Sequence, residues 1–419
     1  MSSSAAISLT IIALVAVLAP IISELLWKFR LPSVLIEIIL GIIIGPSLLH
    51  LAKLNPFTNG LSGLGLCFLF FLAGFEINFS RLKGPPIIRG TIGWGISLAL
   101  GLSVGLVLML SGFVISSLLI GLALTTTAIG TLMPILKDRG ILSTPFGSLL
   151  TAAGAVGEFG PILAVTILLG TRGAGIETGL LILFVILAVL VALLASRPHP
   201  PRLIEAFQKH LNSSTQLPVR VMILLIAGMV AVASRFGLEL LLGAFSAGLI
   251  ARLAVKPDQS EQLLSKLEAV GFGFLIPIFF IVSGMKFNAP ALWQDPATIW
   301  HALIFFGLLL LIRGVPALVV YRDLLSLKQR TALGFLQATA LPMIVVIVQI
   351  GISTHTMKPM NGTALMTAGI LSVLIFPLLG FGILNATESS AHQKMPYRHN
   401  SGPEREVIFD DELFPDSGA

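Results

Sequence analysis

The stretch "ISSLLIGLALTTTAIGTLMPILKDRG", residues 115–140, decides the fold, because it is an apolar helix interrupted by polar and helix-breaking residues. These residues are Thr125, Thr126, Thr127, Gly130 and Pro134. Proline removes a backbone donor and glycine loosens the helix, so the backbone can open here and turn carbonyls and hydroxyls towards a cavity. Three adjacent threonines could coordinate a dehydrated alkali cation. The stretch therefore predicts a broken membrane helix.

A second stretch, "ALGFLQATALPMIVVIVQIG" at residues 332–351, repeats the pattern with Gln337, Thr339 and Pro342 in its early part. Two interrupted helices in corresponding positions of two halves point to the binding site of a transporter. Threonine and proline also simply bend membrane helices, and for either stretch alone this alternative remains open. The pair together favours transport.

The composition places both stretches in a membrane. The chain of 419 residues is 55% hydrophobic and 11% charged, with a mean hydropathy of +0.98, whereas a soluble domain is about 25% charged. Apolar runs of about 20 residues, the length that crosses a bilayer as a helix, recur along the chain. We therefore predict an all-α polytopic membrane protein.

Breaks at charged residues, Pro, Gly and Asn divide the chain into thirteen predicted spans. These lie near 7–26, 31–50, 61–79, 87–112, 114–134, 148–171, 178–195, 218–234, 237–254, 268–285, 298–320, 331–351 and 361–384. Loops after odd-numbered spans hold 20 of the 26 lysines and arginines, and loops after even-numbered spans hold 5. Because positive residues concentrate in cytoplasmic loops, the N-terminus is predicted outside and the C-terminus in the cytoplasm. The first run has no basic residues before it, so it is kept as a span rather than a signal peptide.

Ionisable residues inside spans mark candidate ion paths, because a charge at mid-bilayer costs about 2.5–3.5 kcal/mol on insertion scales. Glu158, in "TAAGAVGEFGPILAV" at 151–165, and Arg313 both fall near mid-depth. They are the natural charge partners in the sequence, and a cation or proton reaching Glu158 would compete with the guanidinium. The alternative is a permanent structural salt bridge. Glu37 is a possible secondary acid, either a relay or a packing residue.

Other function classes find little support in the residues. Cys67 is the single cysteine, and the histidines fall in loops, span ends or the tail, so we expect no cofactor and no metal beyond a transported monovalent cation. No nucleophile–His–acid constellation points to an enzyme, and nothing points to nucleic acid. Residues 385–419 are polar and end acidic, which predicts a disordered cytoplasmic tail.

Several segments carry a family resemblance that covers nearly all of residues 7–384. They are "LPSVLIEIILGIIIGPSLLH" at 31–50, "FLFFLAGFEINFSRLK" at 68–83, "TTTAIGTLMPILKDRGILSTPFG" at 125–147, "LLGAFSAGLIARL" at 241–253, "FLIPIFFIVSGMKFN" at 274–288 and "RGVPALVVY" at 313–321. The chain thus resembles the monovalent cation:proton antiporter superfamily, in particular its bacterial sodium/proton and potassium-efflux branch. In that family an embedded Lys or Arg stands where Arg313 lies.

The resemblance implies a particular architecture within a transmembrane domain, residues 1–384. A core at 86–171 and 298–384, with inverted repeats and two crossing, partly unwound helices, would move like an elevator against a dimerisation scaffold. The scaffold would be 7–79 and 218–285, with a linker helix at 178–195. A homodimer in a bacterial inner or plasma membrane is implied, and pH homeostasis would be its task.

One departure from the family's pattern bears on the mechanism. Electrogenic members carry two adjacent acids in the sixth span, whereas here Gly157 and Glu158 occupy those places. A single carboxylate implies electroneutral exchange of one proton for one cation, Na⁺ or K⁺. Two alternatives stay open: a passive K⁺ pathway resembling a channel, and a sensor or accessory relative that has lost transport.

Overall fold

The computed structural model describes residues 3–25, 32–76, 84–168, 174–195, 215–238, 240–255 and 257–392. Its helices follow one another as α1 Ser3–Leu25, α2 Ser33–Ile44, α3 Pro56–Glu76, α4 Pro85–Leu110, α5 Ser117–Leu124, α6 Ile129–Asp138, α7 Pro145–Leu168, α8 Ala174–Ala195, α9 Leu217–Phe236, α10 Leu240–Ala254, α11 Pro257–Val270, α12 Ile276–Met285, α13 Ala291–Gln294, α14 Pro296–Val320, α15 Leu327–Gln337, α16 Pro342–Ser353 and α17 Pro359–His392. A π-helical turn at Gly271–Leu275 joins α11 to α12.

The helices match the membrane character of the sequence. Within the described ranges, eight helices are long and apolar enough to cross a membrane, and α15 with α16, bent by 41° at their break, make a ninth candidate. Four shorter apolar helices accompany them. Each of the thirteen predicted spans overlaps a helix or a helix pair. The protein is therefore an all-helical integral membrane protein, and the count of thirteen crossings stays a prediction.

The helices pack into two groups. In the first, α4 packs on α5 and α7, and α14 packs on α4, α15 and α17; we call α4–α7 with α14–α17 the core bundle. In the second, α3 packs on α10 and α12, and α2 packs on α1 and α12; we call α1–α3 with α9–α12 the scaffold bundle. Helix α8 contacts α7 and α10, one from each bundle.

The scaffold bundle is held by very close helix contacts at glycine. A Cβ atom added to Gly248 of α10 would lie 2.8 Å from the backbone nitrogen of Phe75 and 3.0 Å from the Cα of Gly74, both on α3. Small residues let membrane helices approach to this distance, where van der Waals packing between backbones drives their association. The segment "FLAGFE" therefore serves here as a packing surface.

Two boundary predictions need correction. The first break lies at residues 125–128, whereas Gly130 and Pro134 lie within α6, so the threonines and not the glycine and proline interrupt the helix. The last helix continues to His392 rather than ending at 384, because "NATESSAH" contains no Gly or Pro to stop it. Residues 393–419, the rest of the predicted tail, lie outside the described residues.

Candidate functional site

The two helix breaks meet inside the core bundle. The backbone N–H of Ala128 donates to the Thr339 carbonyl at 2.7 Å, and the Thr127 hydroxyl donates to the Gln337 carbonyl at 2.6 Å. The Thr127 N–H donates to the Gly157 carbonyl of α7 at 3.0 Å. Backbone groups released by one break therefore satisfy those released by the other, which is how non-helical backbone is tolerated at membrane depth.

The second break has a further support on α17. The Ser372 hydroxyl lies 2.9 Å from the Ala340 carbonyl and 3.0 Å from the Ala340 N–H. Pro342 then begins α16 at its first turn, a position where a missing N–H costs nothing. Ser372 is buried, and sequence reasoning did not single it out, because one serine in a long apolar helix has no distinguishing pattern.

Glu158 lies on α7 beside the first break and is 4% exposed. Its carboxylate accepts hydrogen bonds from the backbone N–H groups of Ile129 and Gly130, the first residues of α6. A helix N-terminus favours an anion through its free amides and its dipole. Within the described part of the chain, Glu158 Oε2 has no hydrogen-bond partner. One oxygen of a buried acid is thus held and the other is free to bind.

Arg313 lies on α14, is 1% exposed, and has a set of partners that excludes Glu158. Its Nε donates to Thr127 Oγ1 at 3.0 Å, Nη1 to Ser97 Oγ at 3.3 Å, and Nη2 to the Ala153 carbonyl at 3.4 Å. No ion pair joins Glu158 to Arg313, both of which are described residues. The predicted charge pairing is therefore wrong, because the guanidinium lies between α4 and the first break, where neutral oxygens satisfy it.

The remaining predicted site residues are distributed as follows. The hydroxyls of Thr125 and Thr126 donate to carbonyls one turn back in α5, each at 2.8 Å, and both residues are fully buried. Gln337 ends α15 and Thr339 lies in the second break, and both are buried. Glu37 is buried on α2, in the scaffold bundle, with Oε2 unpartnered among described residues. Apart from Glu37 and Arg313, the predicted site residues lie at the breaks or on α6 and α7 beside them. Arg313 lies on α14, and its side chain reaches Thr127 in the first break.

Ser97 of α4 is a site residue that sequence reasoning missed. Its hydroxyl also contacts the carbonyls of Gly93, at 3.1 Å, and Ile312, at 2.9 Å. A pattern in the sequence indicates this position. Small residues recur every four positions and so share one helix face, namely Gly93, Ser97, Gly101 and Gly105. All four are buried. That stripe is where α4 meets α5 and α14.

The site also borders the scaffold bundle. Phe159, next to Glu158 on α7, stacks on Phe245 of α10 with ring centroids 3.6 Å apart and an interplanar angle of 23°. This ring pair joins the two bundles within one residue of the buried acid.

In this helical membrane protein two helix breaks meet beside the buried carboxylate of Glu158, an arrangement found in membrane transporters. Residues 13–386 match the family described as sodium/hydrogen exchanger, transmembrane. The chain belongs to that family, whose members are transporters and not enzymes.

Individual relatives and one solved structure agree with this assignment. The chain is 29% identical to the Bacillus subtilis protein YjbQ over 90% of its own length and 63% of that protein's, so it spans less than two thirds of this relative. It is 28% identical to the Na(+)/H(+) antiporter NhaS4 of Synechocystis, covering 85% of this chain and 92% of that protein. The structure of the sodium proton antiporter MjNhaP1 from Methanocaldococcus jannaschii superposes with a TM-score of 0.63 at 16% identity, covering 91% of this chain and 99% of that one. The last likeness concerns the fold alone.

Proposed function

We propose that the protein exchanges a monovalent cation for a proton across the membrane, with Glu158 as the single carboxylate that binds either one. The observation that supports this most directly is Glu158 Oε2, a buried acidic oxygen that lies beside the first break and has no hydrogen-bond partner among the described residues. Glu37 Oε2 is also unpartnered there, but it lies on α2, away from both breaks. A buried polar atom in this condition needs an explanation, and an ion or proton that binds there supplies it. Ionisable groups inside a membrane mark ion paths.

The surroundings of Glu158 suit a small cation. Thr125, Thr126 and Thr127 supply hydroxyl and carbonyl oxygens at a non-helical segment, and oxygens are the ligands that replace the hydration shell of alkali cations. Their hydroxyl protons are directed at carbonyls, which leaves oxygen lone pairs to face a cation. Thr127 Oγ1 also accepts from Arg313 Nε, so it has one lone pair left. A proton arriving at Glu158 removes the negative charge and releases the cation.

The stoichiometry proposed is one proton for one cation. Gly157 supplies no second acid, so Glu158 by itself changes the charge of the site by one unit. Glu76 of α3, whose charge acts on Glu158, would keep its own protonation state during exchange. Arg313 keeps its charge on neutral oxygens of Thr127, Ser97 and Ala153 rather than on the Glu158 carboxylate. The names of relatives favour Na⁺ as the first cation to test, with K⁺ second.

Alternating access would come from movement of the core bundle along the scaffold bundle. Both breaks, Glu158 and Arg313 belong to the core bundle, so the site would travel as one body. The scaffold bundle would form a homodimer contact, with the N-terminus outside and the C-terminus in the cytoplasm, as the distribution of lysine and arginine suggests. Labelling of introduced terminal cysteines in intact cells tests that orientation.

The test is proton flux in liposomes that contain the purified protein and an internal pH dye. After a proton gradient is imposed with the membrane potential clamped, addition of Na⁺ or K⁺ should dissipate it, and Glu158→Gln should abolish the response. Glu37→Gln is the matched control, because it makes the same chemical change at a buried acid of the scaffold bundle. Its response should persist.

Other outcomes of this experiment would support one of the two alternative functions. Cation current without proton movement would indicate a passive pathway, and a folded protein that responds to no cation would indicate a relative without transport. A response that survives in Glu158→Gln would refute the assignment of that carboxylate.

A further inference from the structure

Gly157 lies directly before Glu158 on α7 and has almost no free space around it. A Cβ atom added at this glycine would lie 2.5 Å from Arg313 Nη2, 2.6 Å from Thr127 Oγ1 and 2.9 Å from Thr127 Cβ. Two carbon or nitrogen atoms in van der Waals contact are about 3.5–4.0 Å apart, so even an alanine does not fit. The guanidinium and the threonine occupy the space that a side chain would need.

The groups that fill this space connect every part of the site. Arg313 Nε donates to Thr127 Oγ1, which in turn donates to the Gln337 carbonyl of the second break. The same guanidinium reaches Ala153 on α7. A buried charge is tolerated only when it is hydrogen-bonded on several sides, and these contacts provide that condition without a carboxylate partner.

We propose that Gly157 and Arg313 form a size-matched pair in which the missing side chain makes room for the guanidinium, and that this pair positions Thr127 for cation binding. Arg313 is a positioning residue here: it acts through Thr127 and does not touch the cation. This inference rests on the proposed exchange at Glu158. It assigns to Gly157 a specific steric task, which is to leave room for the guanidinium and for Thr127.

The size of the side chain at position 157 should therefore affect the affinity for the cation. A side chain at position 157 displaces Arg313, Thr127 or both, and Thr127 holds the first break against Gln337 and Gly157. The N–H groups of Ile129 and Gly130, which bind the Glu158 carboxylate, follow that break directly in the chain. A displacement of about 1 Å in such a site costs up to about 100-fold in function.

The first experiment compares Gly157→Ala with Gly160→Ala in liposomes. Gly160 is a matched control on the same helix, because its added Cβ would lie 2.5 Å from the Trp94 ring and its three nearest atoms all belong to that ring. Both variants should melt at lower temperature in detergent. Only Gly157→Ala should raise the cation concentration for half-maximal exchange, by about tenfold or more, and shift the pH profile of exchange.

The second experiment adds Arg313→Lys to both backgrounds. Lysine lacks Nη2, the atom nearest to the added Cβ, but its single ammonium can still donate to Thr127. Arg313→Lys alone should weaken cation binding, whereas in Gly157→Ala it should partly restore both the half-saturation and the melting temperature. If Arg313→Lys changes the half-saturation and the melting temperature equally in both backgrounds, the proposed Gly157–Arg313 pair is refuted. Identical behaviour of Gly157→Ala and Gly160→Ala would refute it as well.

The melting temperatures separate this inference from the proposed function. They form a double-mutant cycle that needs no transport. If the wild type exchanges no cation, the proposed function fails and the positioning of Thr127 fails with it, while a non-additive cycle still establishes the steric pair. If the wild type exchanges cations and the cycle is additive, the exchange stands and the pair is refuted.

Discussion

Glu158 and Arg313 are buried charges of opposite sign that form no ion pair with each other. Glu158 faces the amides at the start of α6, and Arg313 faces the hydroxyls and carbonyls of Ser97, Thr127 and Ala153. Dipoles hold the guanidinium and one oxygen of the Glu158 carboxylate, and the other carboxylate oxygen has no hydrogen-bond partner among the described residues. A carboxylate that has no guanidinium partner can take up a cation without first breaking a salt bridge.

Replacement of Arg313 by methionine should lower stability. It removes the hydrogen bonds that the guanidinium donates to Ser97, Thr127 and Ala153, and a hydrogen bond to a charged group is worth about 1.5–3 kcal/mol. Thermal unfolding in detergent measures the loss, with Arg330→Met as the control, because Arg330 bonds the Leu318 carbonyl at an exposed position. Equal melting temperatures for the two variants would contradict the structural importance of the buried guanidinium.

At the scale of the helices, Ser372 of α17 holds Ala340 in the second break. Ser372→Ala should leave the Ala340 N–H without its partner and destabilise the break by about 1–3 kcal/mol. The expected result is a lower melting temperature together with weaker cation-dependent exchange. Ser103→Ala on α4 is the control, since that hydroxyl bonds only within its own exposed helix face. Unchanged exchange in Ser372→Ala would show that the break keeps its shape without this contact.

The contact between α7 and α10 should affect the rate of exchange rather than cation affinity. The Phe159–Phe245 stack stabilises the described arrangement of the two bundles by about 0.5–1.5 kcal/mol beyond burial. If leaving this arrangement limits turnover, Phe245→Ala raises the maximal rate by about twofold to tenfold. Initial rates at saturating cation measure this, with Phe272→Ala, an exposed phenylalanine, as control. A change in half-saturation alone would place the ring in the site instead.

At the scale of the whole molecule, exchange should depend on pH through competition at one carboxylate. Protons occupy Glu158 at low pH, and raising the pH frees it for the cation. The cation concentration for half-maximal exchange should therefore fall by about tenfold per pH unit, until the carboxylate is fully deprotonated. Rates over a grid of pH and Na⁺ test this. A slope near two would require a second titrating acid. Glu76→Gln and Glu37→Gln would show which acid that is, with Glu76 first because its charge acts on Glu158.

Sequence reasoning recovered much of this molecule because its strongest signals are local. Apolar runs and the distribution of lysine and arginine predict spans that the helices match in position, and the polar interruptions at Thr125–Thr127 and at Gln337–Pro342 coincide with the two breaks. Hydrophobic length and the loss of backbone bonding are properties of a single segment. They can be read without knowing what the segment packs against.

The contacts between segments were decided by tertiary structure. Arg313 can meet either Glu158 or the oxygens of Ser97 and Ala153, depending on how α14 is rotated and how deep it lies against α4 and α7. The same sequence pattern is compatible with both arrangements. The bracing of Ala340 by Ser372 and the space at Gly157 likewise arise between helices far apart in the chain. The sequence by itself determined a helical membrane protein with two interrupted helices and an acid, Glu158, near the first of them. Only the packing decided which groups hold each charge, because satisfying a buried polar group depends on distances across helix interfaces that no single segment specifies.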